Sequence, residues 1–185
     1  MSGMILASKR LSYRLFTEED REELWALDQD PEVMRFITKG EPSSMERIET
    51  LFIPRMMAYN LPIKGWGIWR VSVSEDDRYL GWVLVRPENF FDDQRDDTSL
   101  ELGWRFFQSS WGQGYATEAA AYLADQLLAL NPELKQFMAI ADKENEASIG
   151  VMKKLGMSFS NETSFLSPVT GCSEPVVRYV KLIPR

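Results

Sequence analysis

Leu100-Glu101-Leu102-Gly103-Trp104-Arg105-Phe106 is followed by Trp111-Gly112-Gln113-Gly114-Tyr115-Ala116-Thr117-Glu118-Ala119, and the hydrophobic period changes between the two segments. Leu100, Leu102, Trp104 and Phe106 recur at period two, the mark of a strand with one apolar face, so Glu101 and Arg105 point the other way. Beyond the glycines, Ala116, Ala119, Ala120, Leu123, Leu127 and Leu130 recur at helical spacing until Asn131-Pro132 stops them. The first amides of such a helix have no intrahelical acceptor, and the helix dipole adds partial positive charge there. Glycine lets a bulky anion approach those donors. Two readings stay open on this segment alone: a phosphate cradle, or a strand-to-helix turn that uses glycine only for its geometry.

Missing patterns narrow the choice. No G-x-x-x-x-G-K-[ST] sequence occurs, which argues against a P-loop hydrolase. The third glycine of a dinucleotide-binding G-x-G-x-x-G would fall on Thr117. The chain has no histidine, so histidine-dependent triads and most zinc sites are excluded and no metal site is expected. Its one cysteine, Cys172, lies in the turn-like Pro168-Val169-Thr170-Gly171-Cys172, has no activating base in sight, and excludes an internal disulfide.

A length of 185 residues without a Pro/Gly/Ser-rich linker or internal repeat points to a single domain over 1–185. No segment approaches the ~20 apolar residues of a membrane helix, and Met1 to Arg10 lacks an apolar signal core, so a cytoplasmic protein is expected, with no membrane partner. A formal charge of −7 argues against a nucleic-acid grip and mildly favours cationic partners, although solubility alone also explains it. Asp92-Asp93-Gln94-Arg95-Asp96-Asp97 reads as a solvated loop.

Around the central segment, Arg10 to Phe16 alternates as a first strand, and Thr17 caps a helix that runs through Leu24 and Leu27 toward Asp30-Pro31. A short helix follows around Val33 to Ile37. Ser43 or Ser44 opens another with Ile48, Leu51, Phe52 and Met56, which Pro54 should kink or end. Trp69 to Val73 and Leu80 to Val85 read as a hairpin, Phe137 to Ala141 as a buried strand, and Glu146 to Leu155 as a helix closed by Gly156. Met157 to Phe165 and Val176 to Ile183 form a last pair. Clustered strands with several helices give an α+β fold with a mixed, largely antiparallel sheet.

With these blocks in place the chain resembles the GNAT superfamily of N-acetyltransferases, in particular its RimJ/RimL-like branch, which acetylates N-termini of ribosomal proteins. Glu101 to Phe106 with Trp111 to Ala119 is similar to that branch's E-I-G-Y-W-L and W-G-x-G-Y-A-T-E-A. Asn145-Glu146-Ala147-Ser148 through Lys154-Leu155-Gly156-Met157 is similar to the family's N-x-A-S helix ending in K-L-G-F. Arg10 to Leu15 with Asp30-Pro31-Glu32-Val33-Met34 matches its N-terminal block.

The resemblance implies helices on both faces of the sheet and a splay between its fourth and fifth strands, where acetyl-CoA inserts. The pyrophosphate would meet backbone amides of Gly112, Gln113, Gly114, Tyr115, Ala116 and Thr117, and the pantetheine would run beside Trp104 to Phe106 as an added strand. Trp111 stands where the wider family's Q/R-x-x-G-x-G/A signature begins.

Acetyl transfer to an amine needs a proton acceptor, oxyanion donors and a proton for the leaving thiolate. Glu101 is the candidate base, or else the ion-pair partner of a nearby cation. Asn145 is positioned to cap its helix and, by resemblance, to contact CoA or the amine; Ser148, one turn on, lies near the thiol in that branch. Where many relatives carry a tyrosine acid, this chain has Met152. Lys153 and Lys154 suit either the cofactor's 3′-phosphate or the helix dipole, and Trp66, Trp69, Tyr59 and Phe36 suit either an amine pocket or the core.

The expected activity is acetyl transfer from acetyl-CoA to a primary amine by direct attack in a ternary complex, without a metal. Acceptors in the family include protein N-termini, amino acids, polyamines and antibiotics, and the enzyme is expected as a monomer or homodimer. The alternative is a catalytically silent CoA-binding or sensor module on the same scaffold.

Overall fold

The computed structural model describes residues 6–184. Eight strands, β1 (Leu6–Ala7), β2 (Leu11–Leu15), β3 (Gly67–Val73), β4 (Tyr79–Glu88), β5 (Asp96–Phe106), β6 (Gln136–Ala141), β7 (Ser158–Leu166) and β8 (Ser173–Leu182), form one sheet in the order β1-β2-β3-β4-β5-β6-β8-β7. Among the described residues every neighbouring pair is antiparallel except β5 and β6. The fold is α+β, with helices on both faces of the sheet, as expected.

Strands β3 and β4 are buried along nearly their whole length because both faces are covered. Helices α5 (Tyr115–Leu130) and α6 (Glu146–Lys154) pack Ala120, Leu123, Leu127 and Met152 against Val71, Val83, Leu100 and Leu102. On the other face lie α1 (Arg21–Leu27), α2 (Pro31–Thr38), α3 (Met45–Arg47) and α4 (Ile53–Tyr59). Their Leu24, Leu27, Ile48 and Met56 meet Ile68, Trp82 and Leu84.

Of the two outcomes expected at Pro54, ending the helix does not occur: Pro54 sits in the first turn of α4, and the irregularity is a π-helical turn (Ile48–Phe52) that joins α3 to α4. The amide of Ile53 reaches back five residues to Ile48 O, and this widened turn carries the chain past a residue that has no amide to donate. The acidic segment also differs: Asp96 and Asp97 are exposed yet already belong to β5, where Asp97 accepts from Arg95 Nε (2.6 Å). Strand β1 escaped the periodicity because two residues show no period.

The decisive feature is where β5 and β6 part. Parallel pairing covers Ser99 with Gln136, Leu100 with Phe137 and Glu101 with Met138, and then stops. Strand β5 runs on to Phe106 and β6 to Ala141, so a gap opens beyond Glu101. Counted from the strand at Leu11–Leu15, these are the fourth and fifth strands. The closed end is clasped by Glu88, which accepts from Arg178 Nε (2.9 Å), Arg178 Nη2 (3.0 Å) and Ser99 Oγ (2.6 Å), while Gln136 Nε2 donates to Ser99 Oγ (2.9 Å). Four strands are thereby tied together at the apex of the gap.

Candidate active site

The glycine turn stands at the open end of the gap. Gly112 (φ +73°) and Gly114 (φ +78°) both take left-handed backbone, which glycine adopts without strain. A Cβ at Gly112 would meet nothing within 4 Å, so the space over the turn is open. Helix α5 begins at Tyr115, and its first closed bond runs from the Glu118 amide to Gly114 O (2.9 Å). The amides of Tyr115, Ala116 and Thr117 precede that bond and lack helical partners, as an anion cradle requires.

Side chains fix the cradle. Glu118, on the first turn, accepts from Arg10 Nε (2.7 Å), the Arg10 amide (3.0 Å) and Ser8 Oγ (2.8 Å), and Arg10 Nη2 also donates to Gln113 O (3.1 Å). Burial alone would favour the neutral acid, but the Arg10 and Ser8 bonds outweigh it and lower the Glu118 pKa. Arg10 also lies over the Tyr115 ring, 4.5 Å from its centroid. Gln113 Nε2 donates to Ser109 O (2.9 Å), and Trp111 Nε1 donates to Phe106 O (2.9 Å). The tryptophan that departs from the wider family signature thus ties the turn to the end of β5.

The rim of the gap is backbone. The amide of Phe107 bonds Leu80 O (3.0 Å) across the β4–β5 ladder, so the strand's alternation turns the amides of Trp104 and Phe106 toward the gap. On the far lip, β6 delivers the start of α6. Asn145 Oδ1 accepts from the Ser148 amide (3.1 Å), an N-cap that leaves its Nδ2 available, and Ser148 is half-buried. Met152 is 0% exposed and packed in the core, so it contributes nothing to the gap. Lys153 and Lys154 are exposed in the last turn of α6, where the dipole favours them.

On the face of the sheet opposite α5, a cavity of about 170 Å³ lies between β3–β5, the α3–α4 run and the β7–β8 turn. Glu101 is not among its lining residues but is ion-paired with one that is: Arg86 Nε stands 2.8 Å from Glu101 Oε2, with side-chain exposures of 13% and 12%. Four residues on along β5, Arg105 Nη1 contacts Asp28 Oδ1 at 2.5 Å and its guanidinium lies 4.9 Å from the Trp82 ring, while Arg105 Nε is buried without a partner. Tyr59 lines the same space, its pKa raised by burial. Trp66 and Trp69 instead belong to the α5-side core, with Trp66 Nε1 donating to Asn131 Oδ1 (3.2 Å) and Trp69 Nε1 to Gly65 O (3.0 Å); Phe36 is not among the lining residues. Cys172 is exposed.

Sequence reasoning missed Asp28, Arg86 and Arg105 as a set. The available signal was charge at alternate positions of otherwise apolar strands, where a buried ion needs a partner. It also missed Arg10 and Glu118 as partners, because 108 residues separate them in sequence.

An acetyltransferase (GNAT) domain family matches residues 10–158 of the chain. The FsC-acetyl coenzyme A-N(2)-transacetylase of Aspergillus fumigatus is 34% identical over 185 residues, covering 94% of this chain and 74% of that protein. A GNAT-family acetyltransferase from Bacillus anthracis superposes with a TM-score of 0.74 at 22% identity, over 97% of this chain and 98% of that one. RimL, a ribosomal L7/L12 alpha-N-protein acetyltransferase solved in complex with coenzyme A, superposes with a TM-score of 0.73 at 15% identity, over 97% and 98%. At those identities the structures speak for the fold. Among the described residues no helix is long and apolar enough to cross a membrane, and no cluster of three potential metal ligands occurs.

Proposed function

The chain belongs to the acetyltransferase (GNAT) family, and from that premise we infer that it moves the acetyl group of acetyl-CoA onto a primary amine by direct attack in a ternary complex. It is an acetyl-CoA-dependent N-acetyltransferase, which we read as one catalytic unit over 1–185. The observation that carries the assignment is the gap between β5 and β6, facing a glycine turn whose helix amides lack helical partners.

The residues present fit acetyl-CoA. Amides from Gly112 to Thr117 would hold the pyrophosphate, and the gap-facing amides of Trp104 and Phe106 would bind the pantetheine as an added strand. Acetyl-CoA supplies an acetyl group activated as a thioester. Glu101, directly or through a water, takes the proton of the attacking amine, and the Phe106 amide or a neighbour steadies the developing oxyanion. Asn145 Nδ2 would contact the cofactor or orient the amine, and Ser148 would lie near the thiol. Met152 is sealed in the core, so the leaving thiolate takes its proton from Ser148 or water.

The family premise and the RimL likeness support a protein N-terminal amine as one acceptor class, and the name of the FsC-acetyl coenzyme A-N(2)-transacetylase supports an N(2) amine as another. The test is CoA release from acetyl-CoA with peptide N-termini, amino acids, polyamines and aminoglycosides supplied separately. Amine-dependent release, with the N-acetylated product identified by mass, is the expected outcome. Tight acetyl-CoA binding without release across all classes would favour the silent binding module.

A further inference from the structure

The cavity carries the opposite charge to the chain. The formal net charge is −7, yet four guanidinium groups, Arg47, Arg55, Arg86 and Arg105, line the cavity with one carboxylate, Asp28. Asp28 is held by Arg105, and the lining residue Arg86 is paired with Glu101, which does not itself line the cavity. Among the described residues Arg47 and Arg55 form no ion pair. Both come from the α3–α4 run, where Ile48, Leu51, Phe52 and Tyr59 line the cavity beside them.

We propose that the acceptor is an amine that also carries a carboxylate on an apolar body, with Arg47 and Arg55 receiving the carboxylate. The proposal rests on the acetyltransferase reading and narrows its acceptor. Two half-buried cations without a carboxylate are costly to hold in an apolar space, and an anion on the ligand relieves that cost. Arg55 lies 3.7 Å from the centre of the Phe91 ring, and its pKa is lowered by burial and by the nearby Arg86. Asp92 and Glu101 act on Arg55 at a distance, but Asp92 is exposed and Glu101 is already paired with Arg86. Trp82, Leu84, Phe52 and Ile48 supply the apolar wall. A polyamine or aminoglycoside would bring further positive charge into this space, the reverse of what the chain's net charge suggested.

The test compares matched amines at saturating acetyl-CoA: phenylalanine against phenethylamine, a peptide beginning with aspartate against one beginning with asparagine, and spermidine. The carboxylate-bearing member of at least one pair should lead in kcat/KM by about 10- to 100-fold, the range of a hydrogen bond to a charged group. The pair that responds tells a free amino acid from an acidic peptide. Arg47→Met and Arg55→Met should each shrink that ratio and leave the KM for acetyl-CoA unchanged. Preference for phenethylamine or spermidine overturns the proposal, as does a raised acetyl-CoA KM with the ratio intact. Binding of N-acetylphenylalanine against its amide, followed by indole fluorescence, needs no turnover. Tighter binding of the acid is expected, and equal binding counts against the proposal. Acid-selective binding with no CoA release from any amine would instead remove the transferase reading.

Discussion

Arg86 Nε lies 2.8 Å from Glu101 Oε2, so the group proposed to accept the amine proton stands already paired with a cation, one strand over. The pair does two things at once: it keeps two charges satisfied away from water, and it fixes the carboxylate at the last residue of β5 paired with β6, where the gap begins.

Glu101→Gln keeps an oxygen acceptor for Arg86 and removes the base. Its kcat should fall about 100-fold or more, the usual worth of a positioned general base, with the KM for acetyl-CoA unchanged. Steady-state kinetics beside a melting curve checks this. A fall of less than about threefold in kcat, against that benchmark, would leave Glu101 a structural ion-pair partner only.

Gly112 has left-handed backbone and open space above it. Gly112→Ala should cost about 1–2 kcal/mol in backbone strain and weaken acetyl-CoA binding, since its methyl group enters the cradle. Gly112→Asn should restore much of the stability, because asparagine tolerates this conformation, without restoring affinity. Urea unfolding and calorimetric titration with acetyl-CoA separate the two effects.

Glu118 gives a pH signature. Its pKa is lowered from an ordinary value of 4.5, so folding binds the ionised form more tightly. The stabilisation from the Arg10 and Ser8 bonds is complete above pH 4.5 and is lost as pH falls below that value toward the lowered folded-state pKa. Wild type should therefore exceed Glu118→Gln in stability at neutral pH, with the margin closing in acid. A margin independent of pH would mean that the tie acts through shape alone.

Cys172 is exposed on the β7–β8 turn, and no histidine exists to activate it. Cys172→Ala should retain full turnover. Abolished turnover in a folded variant would defeat direct transfer.

Much of this fold was legible because its signals are local. The alternation of Leu100 to Phe106, the glycines at 112 and 114 and the Asn145 cap each act within a few residues, and each appears where its spacing placed it. Pro54 marked an irregular helix but not its form, a π-turn over Ile48–Phe52 whose Ile48 is buried in the core. The Arg105–Asp28 and Arg178–Glu88 pairs join residues 77 and 90 positions apart, and no spacing rule reports such contacts. Glu101 shows both halves: its strand face followed from period two, while its partner Arg86 required the sheet.

The central claim is amine-dependent acetyl transfer without a covalent acetyl-enzyme. Its most direct test follows CoA thiol release and intact protein mass together, with acetyl-CoA alone and then with the amine that the acceptor screen selects. Negligible release and unchanged protein mass are expected without amine, then release matched one-for-one by N-acetylated amine. An acetyl adduct on the protein that forms without amine and is discharged by it would rule out direct transfer.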